Sequence, residues 1–283
     1  MSEVRKAVRA YQSRPTMEGA GVRLRRAFGF GDTELFDPFL LLDDFRSDRP
    51  EEYLKGFPWH PHRGIETITY MLAGTVEHGD SLGNSGVISA GDVQWMTAGS
   101  GIVHQEMPQG DARGSMHGFQ LWANLPAKHK MMPPRYREVK AADIPAVEPA
   151  PGVTVRIIAG SVAGTRGPVT DVVTEPEYLD VELAAGAVFH HPVPRGHTAI
   201  AYVIGGEAQF GGDGVMRDNT TLVVLGDGDE VVVESGRKPA RFLLVSGRPL
   251  REPVAWHGPI VMNTQEELRQ AFRELEEGTF IRK

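Results

Sequence analysis

Short segments of alternating apolar and polar residues, cut by turn signals, run through most of this chain. Residues 3–12 alternate loosely and predict an edge strand, Gly19-Ala-Gly21 a turn, and Val22 to Phe30 the next strand. The apolar run between acids, Asp37-Pro-Phe-Leu-Leu-Leu-Asp-Asp44, predicts a buried strand, and the polar stretch Arg46 to Tyr53 a loop. Glu66-Thr-Ile-Thr-Tyr-Met-Leu72 alternates as a further strand, with turns at Leu82-Gly-Asn-Ser-Gly86 and Ala90-Gly-Asp92. Pro126, Pro133, Pro134, Pro145, Pro149 and Pro151 then fall between Asn124 and Gly152. Prolines at that density break sheet pairing and mark an interdomain crossing. Strand character resumes at Val153-Thr-Val-Arg-Ile-Ile158. Only the carboxy-terminal end reads as helix: Thr264-x-x-Glu267 fits a capping box, Leu268, Ala271, Phe272 and Leu275 form an apolar stripe, and Gly278 is a stop.

The second half echoes the first. An offset of 132 places Arg63-Gly64 on Arg195-Gly196, Ile68 on Ile200, Tyr70 on Tyr202 and Gly74 on Gly206, which predicts a duplicated domain. With 283 residues, 33 glycines and 20 prolines, the expectation is an all-β protein of two domains, residues 1–136 and 137–283, the second ending in the helix.

Charge and composition narrow the function. A net charge of −7 and a pI near 5.8 give no basic field for nucleic acid. The absence of cysteine excludes disulfides, thiol catalysis and zinc–thiolate sites. No apolar signal core opens the chain and no long apolar run follows, so a cytoplasmic protein without a membrane span is expected, and a monomer.

The candidate chemistry lies between Lys55 and Met107. Residues two apart on a strand face one side, so His60-Pro-His62 and His104-Gln-Glu106 can each aim two ligands inward. Three imidazoles and one carboxylate suit iron, manganese, nickel, copper or zinc, with cobalt also admissible, and leave an octahedral ion two open positions. The 132 offset puts Pro192, Pro194 and Thr198 where His60, His62 and Glu66 stand. One metal site, in the first domain, is therefore expected.

The motif His60-x-His62-x3-Glu66-x7-Gly74, with Gly91-Asp92 and Gly99-x-Gly101-x2-His104, resembles the cupins. Four runs narrow this to the pirin family: Asp37-Pro-Phe-Leu-Leu-Leu-Asp43, Gly56-Phe-Pro-Trp-His-Pro-His-Arg-Gly64, Asp92-Val-Gln-Trp-Met-Thr-Ala-Gly99 and His104-Gln-Glu-Met-Pro108. The resemblance implies a bicupin of two antiparallel β-barrels with a short carboxy-terminal helix. It also implies a metal held by His60, His62, His104 and Glu106, with Fe(II) as the leading ion and Glu66 beside the ligands, holding an imidazole N–H, whereas the general cupin pattern offers Glu66 itself as a ligand. Some pirin-like proteins cleave quercetin, which implies a flavonol substrate, dioxygen, and Glu106 or Glu66 as the proton acceptor. The alternatives are a metal- or redox-dependent regulator acting through a protein partner, as eukaryotic pirins do, or a closed structural zinc site. No basic localisation run accompanies the regulator reading.

Overall fold

A computed structural model describes residues 2–172 and 174–282. Contacts divide it into two compact units, one of Arg14–Ala141 with Leu250–Lys283, the other of Met1–Ser13 with Ala142–Pro249. The boundary near residue 141 falls in the proline-rich crossing. The termini, however, do not follow a single cut at 136: each end of the chain is built into the unit that the rest of its half does not form.

Backbone pairing explains this exchange. Ala7–Gln12 lies antiparallel to Thr221–Leu225, at the edge of a nine-stranded sheet, as its loose alternation suggests. Arg5 fixes the same end, its guanidinium donating to the carbonyls of Pro194, His197 and Gly226 at 2.7–3.0 Å. At the other terminus, Val261 N donates to Arg63 O at 3.1 Å. The helix Gln265–Glu276 carries both bonds of the predicted capping box and buries Leu268 and Ala271 against Ala255, Ile260 and Met262.

In the first unit, a four-stranded sheet runs Phe57–His62, Ile102–Gln109, Thr75–Asp80, Ser85–Ile88. A seven-stranded sheet runs Arg135–Val139, Val93–Thr97, Ile65–Ala73, His117–Asn124, Phe39–Asp44, Val22–Phe28, Arg14–Glu18. Leu24 and Met71 of the larger sheet pack with Val76 and Ile88 of the smaller. The second unit sets a nine-stranded sheet around Val155, Leu179, Phe189, Phe210 and Phe242. This is the all-β cupin class, but the sheets do not close into the barrels expected from the motifs. Pairing stops at edge strands such as Arg14–Glu18 and Ala146–Ala150.

The repeat is visible in the backbone. Gly64 and Gly196 have φ of 79° and 76°, Gly74 and Gly206 of 74° and 65°, and Tyr70 and Tyr202 are both buried. A Cβ at Gly206 would lie 1.9 Å from Pro239 O. Gly206→Ala thus combines a left-handed backbone with a backbone clash, and a loss of about 3 kcal/mol is expected in urea unfolding. An unchanged midpoint would refute this.

Candidate metal centre

Phe57–His62 and Ile102–Gln109 are antiparallel neighbours, and His104 pairs directly with His60. Alternation holds along Ile102–Gln109, where Ile102, His104, Glu106 and Pro108 are buried and the residues between them less so. Ring centroids of His104 lie 4.4 Å from His60 and 5.1 Å from His62. Donor atoms of the three histidines fall within 4.8 Å of one another, forming the one such group among the described residues.

The hydrogen bonds assign the tautomers. His60 Nδ1 lies 2.8 Å from Pro58 O, and His62 Nδ1 lies 3.1 Å from Pro259 O. A carbonyl oxygen only accepts, so each Nδ1 carries the proton and each Nε2 is left as a lone pair. Those two Nε2 atoms face each other at 3.1 Å with no proton to share. Both ring nitrogens of His104 are buried without a hydrogen-bond partner. Burial pushes all three imidazoles toward the neutral form, His62 down to about 3, so their lone pairs are available near neutrality. Lone pairs converging without protons are costly unless a cation sits among them. The donor set fits a divalent ion.

The two carboxylates sit differently. Glu106 is buried, points to the cavity beside His60 and His62, and lies 3.1 Å from the Thr69 hydroxyl. Its carboxyl is pushed up to about 7 by burial, against the opposing Thr69 hydrogen bond. It is not part of the close histidine group. Glu66 is buried too, but it accepts from Thr97 Oγ1 at 2.6 Å and does not line the cavity. The chain turns at Gly64, so His62 ends a strand of the smaller sheet and Glu66 belongs to the larger one. The expected hold on an imidazole N–H falls to the carbonyls of Pro58 and Pro259 instead. Sequence reasoning had no means of finding Pro259, 197 residues from His62.

The centre opens into a cavity of about 660 Å³. Leu41, Phe45, Phe57, Met116, Trp122 and Trp256 supply its apolar wall. Trp122 sets its ring edge-on to His62 at 5.0 Å. Trp95 and Met96 are buried, Met96 in a core cluster with Leu40 and Ile65, and neither lines the cavity.

Two family models match, Pirin over residues 21–123 and the Pirin C-terminal cupin domain over residues 178–281. A pirin-like protein of Caulobacter vibrioides is 48% identical over 278 residues, covering 98% of this chain and 99% of its own length. The chain belongs to the pirin family. A Pseudomonas aeruginosa relative, provisionally named a quercetin 2,3-dioxygenase, is 44% identical over 283 residues, covering 98% of this chain and 99% of its own. The crystal structure of a quercetin 2,3-dioxygenase from Acinetobacter baumannii superposes with a TM-score of 0.89 at 34% identity, covering 98% of each chain. Among the described residues, no helix is long and apolar enough to cross a membrane.

Proposed function

We propose that this chain is a metal-dependent dioxygenase that opens the ring of a flavonol such as quercetin. The observation that carries the reading is a close group of three imidazoles, two of which, His60 and His62, line a largely apolar cavity of about 660 Å³, a size typical of small-molecule sites. Relatives named for quercetin cleavage support it. His60, His62 and His104 would hold the ion, with Glu106 as fourth ligand. Bound there, the ion supplies Lewis acidity toward the substrate's oxygens and, as Fe(II), redox chemistry with dioxygen. The same donors admit manganese, nickel, cobalt, copper or zinc.

The remaining work belongs to the chain. Trp122, Trp256, Leu41 and Phe45 bind flat rings and keep water away from them. Pro58 O and Pro259 O fix the ring orientation of His60 and His62. Glu106 faces the cavity and Glu66 does not, so Glu106 is the acceptor for the flavonol hydroxyl proton.

Anaerobic reconstitution with iron, manganese, nickel, cobalt, copper and zinc, then aerobic assay with quercetin, tests the activity. Loss of flavonol absorbance with release of carbon monoxide is expected for at least one metal. Turnover with none would move the reading to a metal-dependent binding protein. Trp59 and Phe30, exposed by 55% and 72% on the cavity lining, would be its contact surface.

The carboxylates are separable by mutation. Glu106→Gln exchanges an anionic oxygen for a neutral one and should lose metal on dialysis, whereas Glu66→Gln should keep one ion per chain. A stripped Glu66→Gln beside a fully loaded Glu106→Gln would reverse the assignment.

A further inference from the structure

The seven-stranded sheet turns one face to the cavity, and strand register sorts that face into rows. Arg26 pairs with Asp43, Asp43 with Gln120, and Gln120 with Thr69. Residues paired in this way project to the same face, about 4.5–5.5 Å apart. All four line the cavity. Two residues along, the row is apolar where Leu41 pairs with Trp122, and Phe45 and Met116 line the cavity from the other flank. A single polar row, three inter-strand steps of about 4.8 Å, therefore crosses an apolar wall. It ends at the metal centre, where the Thr69 hydroxyl lies 3.1 Å from Glu106 Oε1.

The row carries acceptors in Asp43, Gln120 Oε1 and the Thr69 hydroxyl, and the Gln120 amide adds a donor. Its cation, Arg26, is committed to Asp43 at 2.8 and 2.7 Å and to Glu18 at 2.9 Å. Thr69 has one hydroxyl proton, yet it stands 2.9 Å from Gln120 Oε1 and 3.1 Å from Glu106 Oε1. It can donate to only one of them, and the carboxylate of Asp43 keeps lone pairs beyond those given to Arg26. An anionic ligand would meet like charge along this line. A flat ring bearing hydroxyl protons would meet acceptors along its length and apolar side chains on its faces.

Resting on the flavonol reading of the cavity, we propose that Asp43 and Gln120, the two acceptors of the row set away from Glu106, form its specificity element. They select neutral, planar polyphenols by accepting from ring hydroxyls remote from the metal. The warrant is that a buried site built to hydrogen-bond a hydroxyl rejects the analogue lacking it, because its own polar groups are then left unpaired.

The test uses the full chain loaded with zinc, which has no redox chemistry and so permits binding without turnover. Trp122 and Trp256 line the cavity and report occupancy by fluorescence. Two probes are titrated: quercetin, and 3-hydroxyflavone, which keeps the metal-facing hydroxyl and lacks the others. Wild type should bind quercetin about 100-fold tighter, two hydrogen bonds at about tenfold each. Gln120→Leu should weaken quercetin about tenfold and leave 3-hydroxyflavone within a factor of about two. Equal affinity of wild type for both probes overturns the proposal, as does an equal loss for both in Gln120→Leu. The wild-type comparison stands even if the variant does not fold. Discrimination without turnover under any metal would sink the dioxygenase reading alone, and turnover without discrimination would sink the polar row alone.

Discussion

His104→Leu is expected to abolish metal binding and, in the metal-free protein, to raise stability. Both ring nitrogens of His104 are buried with no hydrogen-bond partner, on a side chain that is 1% exposed. Each such group costs about 1–3 kcal/mol relative to a satisfied one. An apolar residue of similar size removes that cost, so the metal-free variant should gain about 1–2 kcal/mol after imperfect packing is allowed for. With metal the order reverses. Wild type at about 100-fold excess over its dissociation constant gains about 2.7 kcal/mol, and the variant gains nothing. Urea unfolding with chelator and with added zinc measures all four states. A variant that still binds one equivalent, or that loses stability without metal as an ordinary core substitution would, refutes the assignment of His104.

Arg63→Met should be the most damaging single change near the centre. Arg63 is 2% exposed and donates to Ser100 O at 2.7 Å, Phe280 O at 2.9 Å and Glu274 at 2.7 Å, with its guanidinium 4.1 Å from the Phe280 ring centroid. Methionine would leave two carbonyls and a largely buried carboxylate without their partner. Breaking a buried ion pair from one side costs about 3–5 kcal/mol. Glu274 retains some exposure, which favours the lower figure. The effect reaches the metal, because Arg63 follows His62 directly and its carbonyl accepts from Val261, two residues after the Pro259 that holds His62. Metal affinity should therefore fall about 10- to 100-fold in a chelator competition. An unchanged affinity would show that the carboxy-terminal segment supports the fold without orienting the ligand.

Lys130 strengthens the same junction. Its ammonium donates to Gly64 O, Asn124 Oδ1 and Val261 O at 2.6–3.0 Å, three acceptors for three N–H groups. Burial pushes it down to about 7. Nothing in the sequence singles it out among the lysines and arginines of the proline-rich crossing.

The sequence by itself determined what depends on short spacing. Alternation set most of the strands, and an unbroken apolar run set the fully buried Phe39–Asp44. The two-residue step put His60 with His62, and His104 with Glu106, on common faces, and the capping box fixed the start of the terminal helix. The echoed glycines kept their left-handed backbone in both halves. These features follow from the pleat, the helical turn and φ, which a few neighbouring residues decide. Tertiary structure alone decided the rest. It built Leu250–Lys283 into the unit that carries the histidines, gave His62 its carbonyl partner, turned Glu66 onto Thr97, and aligned Arg26, Asp43, Gln120 and Thr69 across four strands. Each of these needs two or more distant segments to meet in one register, and register is set by the burial of whole sheet faces rather than by any residue's neighbours in the chain.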